Sequence, residues 1–184
     1  MSGLRVLVTV ASRHGSTAEI ATALAQEIAG CAAGRAAGLR AAAVPVESRP
    51  DPAHWDAVVL GSAVYAGRWL EPAHDLAVRN VAALRRRPVW LLSSGPIGEP
   101  PFPPDEPYDI ATLATLFAPR GRRVFPGRLD TGRLTFRERA MVTAMRAPVG
   151  DFRDWDAVRA WAAEIAGVLA VEEHATPHEP AARG

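Results

Sequence analysis

Ser12-Arg13-His14-Gly15-Ser16-Thr17 packs three hydroxyls, two basic side chains and a glycine into six residues between an apolar run and an amphipathic one. Backbone N–H groups at a helix start have no acceptor within the helix and favour an anion. Hydroxyls of Ser12, Ser16 and Thr17 can donate to phosphate oxygens, Gly15 lets the backbone approach closely, and Arg13 or His14 adds positive charge. Ser and Thr also cap helices. By itself the segment therefore supports either an anion cradle or a capped turn.

The flanking elements decide where such a loop sits. Leu4–Val10 is apolar and rich in β-branched residues, as in a strand buried on both faces of a parallel sheet. Residues 16–30 place Ile20, Leu24 and Ile28 at helical spacing, with Gly30 at the end. Further strands are predicted at 39–46, 57–60, 88–92 and 122–125, and helices at 72–84, 109–117, 135–145 and 155–171. Alternating strands and helices imply an α/β fold with a doubly wound parallel sheet. The proline-rich 97–108 segment reads as a loop over a site. Residues 1–171 form one domain in this reading, and 172–184 form a polar, disordered tail.

Composition narrows the function classes. The 184 residues carry a formal charge of only +1, which offers no global attraction to nucleic acid. Every cationic residue other than histidine is arginine. A lysine Schiff base and a Walker-type phosphate lysine are thereby excluded. Cys31, the single cysteine, has no disulfide partner within the chain and is expected to pack in the last turn of the first helix. No secretory signal is evident, and no apolar run reaches the ~18 residues of a membrane span, so a cytoplasmic location is expected. His174 and His178 are four apart, but Pro177 and the polar tail argue against a rigid metal site. No metal is expected.

The first loop resembles the phosphate loop of flavodoxins, Ser/Thr-x-Thr-Gly-x-Thr: Ser12, Gly15 and Thr17 match, and His14 replaces the middle hydroxyl residue. The resemblance implies a flavodoxin-like fold of five parallel strands in the order 2-1-3-4-5, with FMN as cofactor and its phosphate on residues 12–17. Two more loops leave strand ends on the side where such sheets bind ligands. Ala63-Val64-Tyr65-Ala66-Gly67 flanks a flavin ring in flavodoxin-like proteins, with Tyr65 the first candidate to stack on it and Trp69 the second. The third loop, Ser94-Gly95-Pro96, would cover the ring's other edge.

A closer resemblance is to flavodoxin-domain proteins grouped with menaquinone-dependent protoporphyrinogen dehydrogenases. Its carriers are Trp55-Asp56-Ala57-Val58-Val59-Leu60-Gly61-Ser62, Phe125-Pro126-Gly127-Arg128-Leu129 and Asp154-Trp155-Asp156. It implies an FMN-dependent oxidoreductase acting on a small-molecule redox substrate or a redox protein. In residues 120–146 eight arginines face only Asp130 and Glu138. That stretch reads as contact with a quinone, a propionate-bearing substrate or the inner face of a membrane, or as a solvated helix packed on the sheet edge. Two other functions fit the fold: a flavodoxin-type electron carrier, which the near-neutral charge disfavours, and a flavin-free interaction module, to which His14 is the only pointer.

Overall fold

The computed structural model describes residues 3–95, 97 and 107–175. In β1 (Arg5–Ala11), Val6, Val8 and Val10 face one helical layer, while Leu7 and Ala11 face the other. β3 (Ala57–Tyr65) and β5 (Val89–Ser94) alternate in the same way, Val59, Trp90 and Leu92 opposing Val58, Leu60 and Leu91. With both faces covered, most residues of these strands are apolar. β2 (Arg40–Pro45) and β6 (Gly121–Phe125) complete a parallel sheet in the order β2-β1-β3-β5-β6. This is the expected order once β4 (Arg68–Trp69) is set aside; β4 pairs antiparallel with the end of β3.

α1 (Ser16–Gly30) and α7 (Trp155–Ala175) cover one face. α3 (Glu71–Arg79), α4 (Val81–Leu84) and α5 (Ile110–Phe117) cover the other. The helix expected over 72–84 is thus two helices, broken at Asn80, whose side-chain amide donates to the Leu76 carbonyl at 2.8 Å. A short α2 (Ala32–Ala36) follows α1 directly. Cys31 lies between them rather than in a last helical turn, and its sulfur accepts the Gly34 N–H at 3.4 Å. α7 continues four residues beyond the expected end at 171, so the start of the expected tail is helical, and 176–184 lie outside the described residues. The edge strand β6 exposes Arg122 and Arg123, a charged guard against edge-to-edge pairing.

Between β6 and α7 the chain makes an excursion. β7 (Arg128–Leu129) and β8 (Gly150–Asp151) form a small antiparallel pair that carries α6 (Phe136–Ala144). Thr135 and Glu138 close a capping box at the start of α6. No residue of α6 is buried and Phe136 is 84% exposed, so this helix is not packed on the sheet edge as the sequence suggested. It is held over the start of α1 by side chains instead.

Arg153 is the fixed point of the excursion. Its side chain is 4% exposed, and burial of a guanidinium costs several kcal/mol unless it is fully paired. Asp151 takes it through two oxygens, at 2.8 and 2.6 Å, Glu19 takes Nη1 at 2.6 Å, and the Trp155 ring lies 4.6 Å below. The Arg153 hydrogen bonds hold the Asp151 carboxyl below its ordinary value of 3.8. A folded-state value below the unfolded one stabilises the fold above 3.8, and this contribution is lost as pH falls through the lower folded value. We expect Asp151→Asn to lower stability at pH 7 and to flatten the decline in acid. Urea unfolding of both proteins from pH 7 to pH 3 checks this; parallel pH profiles would contradict it.

Candidate functional site

β1 and β3 are neighbours whose crossovers run to opposite faces, so their carboxyl ends open the cleft in which doubly wound sheets bind ligands. Residues 12–17 leave β1 at this point. Gly15, at φ +85°, is the N-cap of α1, in a left-handed conformation that glycine adopts at little cost, and no side chain caps the helix. The first intrahelical bond runs from the Glu19 N–H to the Gly15 carbonyl, so the N–H groups of Ser16, Thr17 and Ala18 precede the ladder. Ser12 Oγ is buried without a hydrogen-bond partner. A buried hydroxyl with no partner is costly and marks a place for one. The capped-turn reading of this loop does not hold, because neither serine nor threonine supplies the cap.

A cavity of about 320 Å³ lies over the loop, within the size range of small-molecule sites. Ser12, Arg13, His14, Ser16, Thr17, Ala63 and Tyr65 line one side. The excursion lines the other with Arg128, Leu129, Asp130, Arg133, Leu134, Glu138, Met141 and Val142. The loop is thus only half of the site. Arg128 N–H donates to Ser16 Oγ at 3.1 Å, and Arg133 Nη1 donates to the His14 carbonyl at 3.1 Å. The His14 ring meets Glu138 Oε1 at 3.2 Å. His14 therefore serves the loop through its backbone and faces α6 with its ring. The Thr135 backbone N–H, then the Thr135 hydroxyl and then His14 hold the Glu138 carboxyl below its usual range.

Tyr65 is 38% exposed on the cavity wall, with the Arg13 guanidinium 4.7 Å from its ring centre and the His14 ring edge-on at 6.4 Å. Burial pushes its hydroxyl pKa up, and Arg13 partly offsets this. A two-residue turn, Ala66 and Gly67, both at positive φ, joins β3 to β4. Gly67 presents its bare face to the Tyr108 ring, which lies 2.5 Å from where a Cβ would stand. Trp69 does not share the Tyr65 environment. It is 5% exposed, and its indole N–H donates to Ser93 Oγ at 2.8 Å, so it belongs to the core.

The remaining candidates frame the cavity without lining it. Val64 packs beneath Gly95, Ser94 is buried at the end of β5, and the Gly95 N–H donates to the Phe125 carbonyl at 3.3 Å. Pro96 and His178 lie outside the described residues. Among the described residues no group of His, Cys, Asp and Glu forms a metal site, and no helix is long and apolar enough to cross a membrane.

The donor set fits a phosphate monoester carrying a flat aromatic group. Free first-turn N–H groups and an unpartnered Ser12 hydroxyl suit the anion. Tyr65 and the Leu129, Leu134, Met141 and Val142 wall suit the ring.

Known proteins carry the same architecture. A flavodoxin domain matches residues 7–156. Among solved structures, the rubredoxin:oxygen oxidoreductase of Desulfovibrio gigas superposes with a TM-score of 0.60 at 13% identity over 94% of this chain. This chain spans only 37% of that protein. An oxidoreductase from Corynebacterium diphtheriae gives 0.58 at 14% identity, covering 93% of this chain and 99% of its own. An archaeal flavodoxin gives 0.55 at 13% identity, covering 93% and 99%. Comparison with curated protein sequences finds no match. At these identities the structures establish the fold, and the match over residues 7–156 establishes the family: the chain belongs to the flavodoxin domain family, a membership that indicates FMN as its cofactor.

Proposed function

We propose that this protein is an FMN-dependent oxidoreductase of the protoporphyrinogen–quinone dehydrogenase type. The observation that carries the flavin site is the unpartnered, buried Ser12 hydroxyl beside the uncapped first turn of α1. In this reading Ser12, Ser16 and Thr17 and the N–H groups of residues 15–18 hold the phosphate. Arg13 adds positive charge at the rim, and His14 serves the loop through its backbone. Ala63, Val64, Tyr65 and Gly67 form one flank of the ring site, and Ser94 and Gly95 the other. When bound, FMN accepts and returns the electrons, and the chain's own task is to bind, orient and exclude water.

The finer substrate assignment draws on the excursion. The flavin ring takes the apolar wall in this reading, and Arg13 and Arg133, half-exposed beside it, suit the carboxylate arms of a macrocycle at the cavity mouth. Phe136, Met141, Met145 and Val149 are exposed among Arg137, Arg139 and Arg146, as on a helix that rests on an anionic bilayer surface and meets a quinone there.

Purified protein should be yellow and release about one equivalent of FMN, as expected of a tightly held cofactor. Gly15→Asp should weaken FMN binding by about a hundredfold or more, since like charges about 4 Å apart repel by several kcal/mol at surface screening. A colourless protein that takes up no added FMN overturns the flavin reading. Anaerobic turnover of protoporphyrinogen with a menaquinone analogue supports the dehydrogenase assignment. Retained FMN with no turnover, but rapid electron exchange with a redox protein, assigns a carrier instead.

A further inference from the structure

One carboxylate in the first turn of α1 gathers three arginines from a segment more than a hundred residues away. Glu19 pairs with Arg128 through both oxygens, at 3.1 and 2.9 Å. It takes Arg153 at 2.6 Å and stands 3.5 Å from Arg133 Nη1. Arg153 first and Arg128 second hold its carboxyl below the ordinary value of 4.5, so it stays ionised.

The arginines it holds touch the loop at two further points. The Arg128 backbone N–H donates to Ser16 Oγ, which leaves the Ser16 proton free to point at an anion. Arg133 Nη1 donates to the His14 carbonyl and fills the space beside Gly15, 2.8 Å from where a Cβ would stand.

We propose that Glu19 is a positioning residue for the cofactor phosphate, acting through Arg128 and Arg133 on Ser16, His14 and Gly15. This rests on the reading that residues 12–17 take the phosphate of FMN. Direct electrostatics and positioning predict opposite signs. As a charge, Glu19 repels a phosphate, and its neutralisation would tighten FMN binding. As a positioning group, it holds the cradle in shape, and its neutralisation loosens FMN binding.

The test is a titration of apoprotein with FMN and with riboflavin, which has the same ring and no phosphate, followed by quenching of flavin fluorescence. Glu19→Gln is expected to weaken FMN binding by about tenfold while riboflavin binding changes by less than about twofold. Tighter or unchanged FMN binding overturns the proposal, as does an equal loss for both flavins, which is the mark of a general structural role. If a thermal melt shows that Glu19→Gln does not fold, Glu19→Asp, which keeps the charge and shortens its reach to Arg128 and Arg133, must show the same FMN-selective loss, and unchanged FMN binding or equal losses for both flavins there overturn the proposal. Wild-type protein that binds neither flavin, or binds both equally, removes the phosphate-loop reading itself, an outcome distinct from any variant result.

Discussion

The N–H groups of Ser16, Thr17 and Ala18 enter α1 before its hydrogen-bond ladder begins, and much of the site is arranged around that deficit. A buried helix start without acceptors costs free energy. The usual remedy is a Ser, Thr, Asp or Asn cap. Here the N-cap is Gly15, with no side chain to offer, and Ser12 stands by with an unpartnered hydroxyl. A sheet buried on both faces fixes the end of β1 at the cleft beside β3, so the deficit opens toward the ligand side. In the proposed function an external phosphate supplies the missing acceptors.

The second half of the site comes from an interruption of the last crossover. β7, α6 and β8 bury little apolar surface, and polar contacts fasten them. Arginine suits that task, because its planar fork binds a carboxylate through two parallel bonds where lysine would offer a point charge. Arg128 and Arg153 both use the fork, on Glu19 and Asp151. The near-zero net charge of the chain conceals this arrangement, since it averages the basic stretch 120–146, eight arginines against Asp130 and Glu138, with acids placed elsewhere.

The layered sheet was legible because burial on both faces leaves a coarse signature, the apolar runs of β1, β3 and β5; the loop expected at 61–69 is not one, since β3 runs on through Tyr65 and turns into β4. The position of residues 12–17 was legible in the same way, as a hydroxyl-rich turn at a strand's carboxyl end. Other features needed local geometry that composition does not carry. Tyr65 and Trp69 both look like stacking residues until the Ala66-Gly67 turn is known. That turn sets Trp69 opposite Val64 and Tyr65 opposite Arg68, so the two aromatics occupy opposite faces of the hairpin. Ala-Gly is a weaker hairpin signal than Asn-Gly, which is why the turn was missed. The helical pattern over 135–145 marked α6, whose start the Thr135–Glu138 capping box closes, but nothing local told where that helix would rest. Its contact with His14 spans 124 residues, and Arg128 reaches Glu19 across 109.

In the proposed function the start of α1 holds a phosphate dianion out of bulk water. Phosphorus NMR of the FMN-loaded protein tests it most directly. A free phosphate monoester takes up a proton near about pH 6. One bound resonance is expected, its shift constant from about pH 5.5 to about pH 8, because fixed N–H and hydroxyl donors stabilise the dianion. A resonance that titrates like free FMN would contradict it, by showing the phosphate in solvent and the loop empty of its ligand.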